Sequence, residues 1–199
     1  MFFVKYFFEQ KNVLDKILIE KFVRLLDVYI DTRSPTKSVL PNLQYGIRYD
    51  HVKSLIGHLI GALIGPHKVT ACFLQRTKVP LRVHSDYSNN DNHEDPYYAV
   101  LFPLRFDGPC STVVFQEKGI KSPLEIDPPK TYYKYTNDEV ERLQHNKDFV
   151  LRRLSNPKTI KWQTGNAIIW DRRHFHCSDN FKINETTFKD SLVLFTTRK

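Results

Sequence analysis

The chain has 199 residues, 41% hydrophobic and 26% charged, with a net charge of +8 at pH 7. That apolar share is enough for a packed core and excludes an intrinsically disordered tail. The excess of basic residues permits contact with a polyanion without requiring one. Cys72, Cys110 and Cys177 form neither a CxxC pair nor an even framework. A disulfide scaffold and a zinc ribbon are therefore not expected, and a reducing, intracellular compartment is. The longest apolar stretch, Leu55 to Pro66, is broken by His58 and three glycines, so no membrane span is expected. The opening MFFVKYFFEQ lacks a small-residue cleavage site after an apolar core, which argues against a signal peptide.

In chain order, Val13, Leu14, Ile17, Leu18, Phe22, Leu25, Leu26 and Tyr29 recur at helical spacing, and Ser34-Pro35 ends the pattern. A second helix is predicted over 51–64, stopped by Gly65-Pro66. From there the chain turns β-prone, over 69–74, 98–102, 112–115, 167–170 and 191–197. Turn signals separate these runs at Asp107-Gly108-Pro109, Asp127-Pro128-Pro129 and Thr164-Gly165. Thr136-Asn-Asp-Glu139 reads as a capping box opening a helix to about Leu154, which interrupts the strands. The expectation is one domain, mainly β with flanking α-helices. Residues 1–66 form a mostly helical support, and 67–199 form a sandwich or barrel with a helical insert near 137–154. Neither GxGxxG nor GxxxxGK[ST] occurs, so dinucleotide-cradle and P-loop chemistry have no support.

Two His-x-Asp pairs are metal-ligand candidates: His84-Ser85-Asp86 and His93-Glu94-Asp95. The first follows a strand-like approach, Val79 to Val83, and a strand end holds a ligand more rigidly than a loop interior. In Trp170-Asp-Arg-Arg-His-Phe-His-Cys-Ser-Asp179, His174 and His176 share a face if the segment is a strand, and either could complete the set. Two imidazoles and one carboxylate leave open positions on the metal, which suits non-haem Fe(II). Lys189 and Ser191 share a face at the start of the last strand, where a cation and a hydroxyl could hold a carboxylate. Arg172 and Arg173 are rivals for that task, and Arg172 shares the parity of the two histidines.

The ordered set His84-Ser85-Asp86, Tyr98 to Leu104, Ser111 to Phe115, Trp162-Gln-Thr-Gly165, Asn166 to Trp170, His176 to Phe181 and Lys189 with Ser191 resembles the Fe(II)/2-oxoglutarate-dependent dioxygenases. The resemblance covers roughly residues 69–197. It implies a double-stranded β-helix (jelly-roll) core, with Fe(II) held by His84, Asp86 and His176. It further implies 2-oxoglutarate held by Lys189 and Ser191, with O2 as the oxidant. The implied reaction couples oxidative decarboxylation of 2-oxoglutarate to hydroxylation of a second substrate, a small molecule or a macromolecule. Two features depart from the family pattern. Lys189 stands where most members carry Arg, which alone forms a bidentate fork, and the spacing from His176 to Lys189 is longer than usual. Residues 182–187 read as a turn that absorbs the extra length.

The bland alternatives are a strand-end histidine bonded to a nearby aspartate, a solvated Lys189, and a jelly-roll binding module without catalysis. Six basic residues against one acid between Arg142 and Lys161 admit contact with nucleic acid, but a solvated helix face is the favoured reading. Tyr87, Tyr97, Tyr98 and Arg105 lie near the expected substrate position, where aromatics beside strands are more often core, and the four acids between Asp86 and Asp95 either favour a cationic substrate or keep the loop solvated.

Overall fold

Apolar alternation along the long strands sets the layering of this molecule. The computed structural model describes residues 7–32, 42–87, 95–119, 124, 126 and 131–199. The elements are β1 (Phe7–Gln10), α1 (Lys16–Thr32), β2 (Asn42–Gly46), α2 (Tyr49–Ile64), β3 (His67–Thr77), β4 (Pro96–Phe106) and β5 (Ser111–Lys118). They continue with α3 (Asn137–Leu143), α4 (Asp148–Leu151), β6 (Lys158–Lys161), β7 (Ala167–Asp171), β8 (His174–Ser178) and β9 (Lys189–Arg198). A larger antiparallel sheet runs β1-β7-β4-β9-β3-β2, and a smaller one runs β6-β5-β8.

On β4, β7 and β9 successive side chains point to opposite faces. Val100, Phe102, Ile169, Leu192 and Leu194 join Phe22 and Leu26 of α1 and Ile56 and Ile60 of α2 in one core. The residues between them, Leu101, Ile168, Trp170 and Val193, pack with Val114 and Ile160 of the smaller sheet, and with Trp162 just after β6, in a second. A third core, with Phe115, Phe175, Leu143 and Leu154, seals the smaller sheet against α3 and α4. Both faces of the central strands are thus dry, as the jelly-roll expectation requires. Each fully buried large apolar side chain contributes roughly 1.5–3 kcal/mol.

Several boundaries differ from the sequence reading for physical reasons. α1 begins at Lys16, because the backbone N–H groups of Val13 and Leu14 both donate to Gly165 O, at 2.8 and 2.9 Å. The Asp15 side chain then accepts from Leu18 N at 2.8 Å. Gly165 sits at φ 86°, and a Cβ there would lie 2.8 Å from Leu14 O, so glycine is required at this close approach. The N-terminal third also contributes strands: β1 pairs with β7, and β2 with β3. Short edge strands take their order from the neighbouring strand and carry little periodicity of their own.

The expected single helix after Thr136 is two short ones. The capping box forms, with Glu139 N donating to Thr136 Oγ1 and Thr136 N to Glu139 Oε2. The helix then stops, because Asn146 turns inward: its amide donates to Leu143 O, and its oxygen accepts from Val83 N at 2.8 Å. The six basic residues therefore form no single stripe. Arg142 bonds Asp138 at 2.9 Å, Arg153 donates to Ile126 O, and Lys158 and Lys161 lie on β6. No described helix is long and apolar enough to cross a membrane. The Ser34-Pro35 stop, the Asp127-Pro128-Pro129 turn and the His93-Glu94 half of the second His-x-Asp pair lie outside the described residues.

A buried ion network ties α1 to the larger sheet. Asp190, fully buried, accepts Nε and Nη2 of Arg76, both at 2.8 Å, and Nε of Arg105 at 2.9 Å. Asp27 of α1 bonds both guanidinium groups in turn, at 2.9 and 2.6 Å. The Arg105 and Arg76 guanidiniums hold Asp27 below the usual carboxylate range. Arg105 thus lies on the helix side of the sheet and not with a substrate. Tyr97 and Tyr98 likewise pack into the helix-facing core, where Tyr97 Oη donates to Ile64 O.

Asp190→Ala should lower the urea-unfolding free energy by about 3 kcal/mol, because the largely buried Arg76 loses its bidentate partner and keeps only the half-exposed Asp27. Asp27→Ala, at a site that is 39% exposed, should cost about 1 kcal/mol or less. Equal losses would remove Asp190 from the centre of the network.

Candidate metal centre

The segment 83–87 between β3 and β4 forms no strand of its own. It is held by one isolated antiparallel bridge between His84 and His176 of β8. His84 N donates to His176 O at 3.0 Å, and His176 N donates to His84 O at 2.9 Å. Residues facing each other across such a bridge present their side chains on one side. The two imidazoles consequently lie with centroids 4.4 Å apart. Two residues on, Asp86 returns to the same side.

Each imidazole has one nitrogen committed. Nδ1 of His84 lies 2.7 Å from Arg82 O, and Nδ1 of His176 lies 3.1 Å from His174 O. Those contacts place the proton on Nδ1 and leave the Nε2 lone pairs free to ligate. Both Nε2 atoms face the Asp86 carboxylate, His84 at 3.7 Å from Oδ1 and His176 at 3.4 Å from Oδ2. Burial pushes His176 down to about 4, against the pull of the Asp86 charge, so it is neutral at pH 7. Oδ2 of Asp86 is buried and accepts no hydrogen bond among the described residues. A buried carboxylate oxygen without a donor is costly unless a cation satisfies it. One ligand atom from each residue lies within 4.8 Å of the others, and His84, Asp86 and His176 form the one such group among the described residues. Ligands at about 2.1 Å from a metal in octahedral directions stand about 3 Å apart, close to this spacing.

The other residues singled out in the sequence lie as follows. His174 is buried, but its Nδ1 lies 2.9 Å from Phe115 O and it does not line the triad's pocket. Arg172 does not line it either: its guanidinium reaches the carbonyls of Asp86 and Thr196, at 2.8 and 3.3 Å. Arg173 is bound to Asp171, with Nη2 2.6 Å from Oδ2.

Lys189 and Ser191 line the same pocket as the triad, and both are buried. Nζ of Lys189 donates to Ser178 Oγ at 2.7 Å and lies 4.3 Å from the Trp162 ring centroid and 5.3 Å from that of Phe181. Burial pushes the ammonium down to about 8, with Asp179 opposing. Ser178 follows His176 by two residues on β8, so Lys189 anchors about 7 Å along the strand from the triad. The longer spacing from His176 to Lys189 is absorbed by a turn closed by Thr186 N donating to Phe181 O at 3.0 Å.

Sequence reasoning missed Gln75, Thr77, Thr112 and Ser178, all in the pocket wall. Gln75 pairs with Ser191 and Thr77 with Lys189 in the β3–β9 register, and Thr112 pairs with Ser178. The available signal was alternation: Phe73, Gln75 and Thr77 occupy every second position of β3, the last two of them beyond the end of the β-prone run at Leu74. Phe73, Leu101, Trp170, Val193 and Phe195 complete the pocket with apolar surface.

No protein-family model matches the chain, and no curated protein does. Solved structures do match. The non-heme α-ketoglutarate-dependent carbocyclase SnoK from nogalamycin biosynthesis superposes with a TM-score of 0.64 at 12% identity, covering 97% of this chain and 80% of that one. HygX from Streptomyces hygroscopicus, solved with nickel and 2-oxoglutarate bound, gives 0.61 at 12%, over 98% and 83%. A Pseudomonas putida prolyl-4-hydroxylase gives 0.57 at 10%, over 98% and 94%. The two facing sheets, with helices behind the larger one, thus give this chain the double-stranded β-helix fold of the Fe(II)- and 2-oxoglutarate-dependent oxygenases.

Proposed function

We propose that the protein is an Fe(II)- and 2-oxoglutarate-dependent oxygenase, with iron held by His84, Asp86 and His176. The observation that carries this reading is the convergence of two Nε2 lone pairs on a buried carboxylate whose Oδ2 has no hydrogen-bond donor among the described residues. The same pocket holds a buried lysine, and HygX, which shares the fold, was solved with nickel and 2-oxoglutarate bound. Bound iron would supply oxygen activation coupled to decarboxylation of 2-oxoglutarate.

The chain's own residues do the rest. Main-chain carbonyls fix the histidine tautomers, and Asp86 offsets part of the metal charge. Lys189 takes the far carboxylate of 2-oxoglutarate by a charge-assisted hydrogen bond, with the hydroxyls of Ser178 and Ser191 beside it. The ring faces of Trp162 and Phe181 hold that ammonium in place, although it offers a carboxylate a point charge and not a bidentate fork. The apolar walls exclude water. His84, the most exposed of the three ligands at 37% of its side chain, marks the open side from which the second substrate approaches.

An anaerobic titration with Fe(II) and then 2-oxoglutarate should give a visible charge-transfer band that needs both. His84→Ala and Asp86→Ala should lose iron, and His176→Ala should cost more iron affinity than His174→Ala. Iron without the band would reject the cosubstrate, and neither would leave a binding module.

Lys189→Ala should raise the apparent 2-oxoglutarate constant tenfold or more, on the scale of a lost charged hydrogen bond. In the unsubstituted protein the affinity should fall as pH rises through about 8, where Lys189 gives up its proton.

Lys189→Met should raise the melting temperature at pH 7 while abolishing cosubstrate binding. Between pH about 8 and 10.5 the unfolded chain binds the proton that folded Lys189 has released, so the parent gains stability as pH rises. The advantage of the variant should therefore shrink across that window. A pH-independent difference would show that burial of the charge is not its source.

A further inference from the structure

We propose that Arg172 is a positioning residue for the metal site, fixing the main chain of Asp86 and through it the direction of the carboxylate. This rests on the reading of His84, Asp86 and His176 as metal ligands. Arg172 and Asp86 are joined twice. Asp86 N donates to Arg172 O at 3.0 Å, and Nη2 of Arg172 donates to Asp86 O at 2.8 Å. The N–H and the C=O of Asp86 are thereby both taken by one residue. The other arm of the guanidinium, Nη1, donates to Thr196 O of β9 at 3.3 Å, and Arg172 N donates to Tyr97 O of β4 at 3.1 Å. The guanidinium carbon lies 4.8 Å from the ring centroid of Phe195, a wall residue of the pocket, and Arg172 as a whole is 2% exposed.

The need for such a clamp follows from the loop itself. Among the described residues, segment 83–87 has a strand-type bridge only at His84, and Oδ2 of Asp86 has no hydrogen bond to aim it. The direction of the carboxylate is then inherited from the backbone. A guanidinium can reach two carbonyls on separate segments at once because its donors form a planar fork, whereas an ammonium is a single point. Arg172 therefore holds Asp86 in register with β9, and β8, which carries His176, begins two residues later.

The test is Mn(II) binding followed by electron paramagnetic resonance, with the visible spectrum of the Co(II) form as a reporter of ligand geometry. Arg172→Lys keeps the charge and most of the volume, and Arg172→Met keeps only volume. Both should bind Mn(II) more weakly, by about tenfold for Lys and up to about a hundredfold for Met, the range of residues that orient ligands. Both should also shift the Co(II) spectrum. At saturating metal the 2-oxoglutarate constant should return to that of the parent, since Lys189 is untouched. If the parent binds Mn(II) and both variants bind it equally tightly with an unchanged Co(II) spectrum, the role of Arg172 falls and the metal site stands. An affinity loss that merely tracks thermal stability, with the Co(II) spectrum unchanged, also overturns it. If the parent binds no Mn(II), the metal site and this role fall together.

Discussion

The reciprocal pair of hydrogen bonds between His84 and His176 is the constraint on which the candidate site depends. It is one rung of antiparallel pairing, outside any continuous strand, and it brings two imidazoles from distant parts of the chain onto one side. With that rung in place, the two-residue period of extended chain carries Asp86 back to the same side and carries Ser178 two positions further along β8. The carboxylate and the hydroxyl that receives Lys189 are therefore spaced by backbone geometry. Neighbouring groups keep the rung in place: Asn146 accepts from Val83 N, Ser85 Oγ donates to Gly119 O at 3.0 Å, and Arg172 brackets Asp86.

Two buried charges on consecutive residues of β9 show how the larger sheet separates function from support. Lys189 faces the pocket and is depressed by burial, with one hydroxyl and two aromatic faces around its ammonium. Asp190 faces the helices and receives two guanidiniums. The network on the helix side anchors the start of the strand, and the lysine on the other side is left under-compensated. A buried ammonium whose proton is loosened by desolvation, beside a pocket, is the kind of perturbed group that marks a candidate site.

Much of the architecture was legible because it depends on local periodicity. Val52, Ile56, Ile60 and Ile64 declare the face of α2 by spacing alone, and Thr136 with Glu139 declares the start of α3. The strands β4, β7 and β9 were legible as apolar runs. What escaped was structure whose stability comes from a neighbour. β1, β2 and β6 are short edge strands ordered by pairing, and the helix after Thr136 ends where Asn146 turns inward to hold Val83 of segment 83–87. Arg105 was read as near a substrate, but a register irregularity on β4 between Pro103 and Arg105 and the pull of Asp27 and Asp190 put it behind the sheet.

The sequence by itself determined which chemistry is available: a His-x-Asp at a strand end, two histidines in alternation downstream, and a lysine opening the last strand. It also determined the class of fold, since the alternating and helical periods are properties of neighbours in the chain. Only the tertiary structure shows that His176, and not His174, lies opposite His84 across the bridge. Both have the same parity, and the choice is made by which one lies opposite the loop across the bridge. Only the tertiary structure assigned Arg172 to the backbone of Asp86 and gathered Gln75, Thr77, Thr112 and Ser178 around Lys189. Those assignments depend on the register between strands far apart in the chain, which no local pattern encodes.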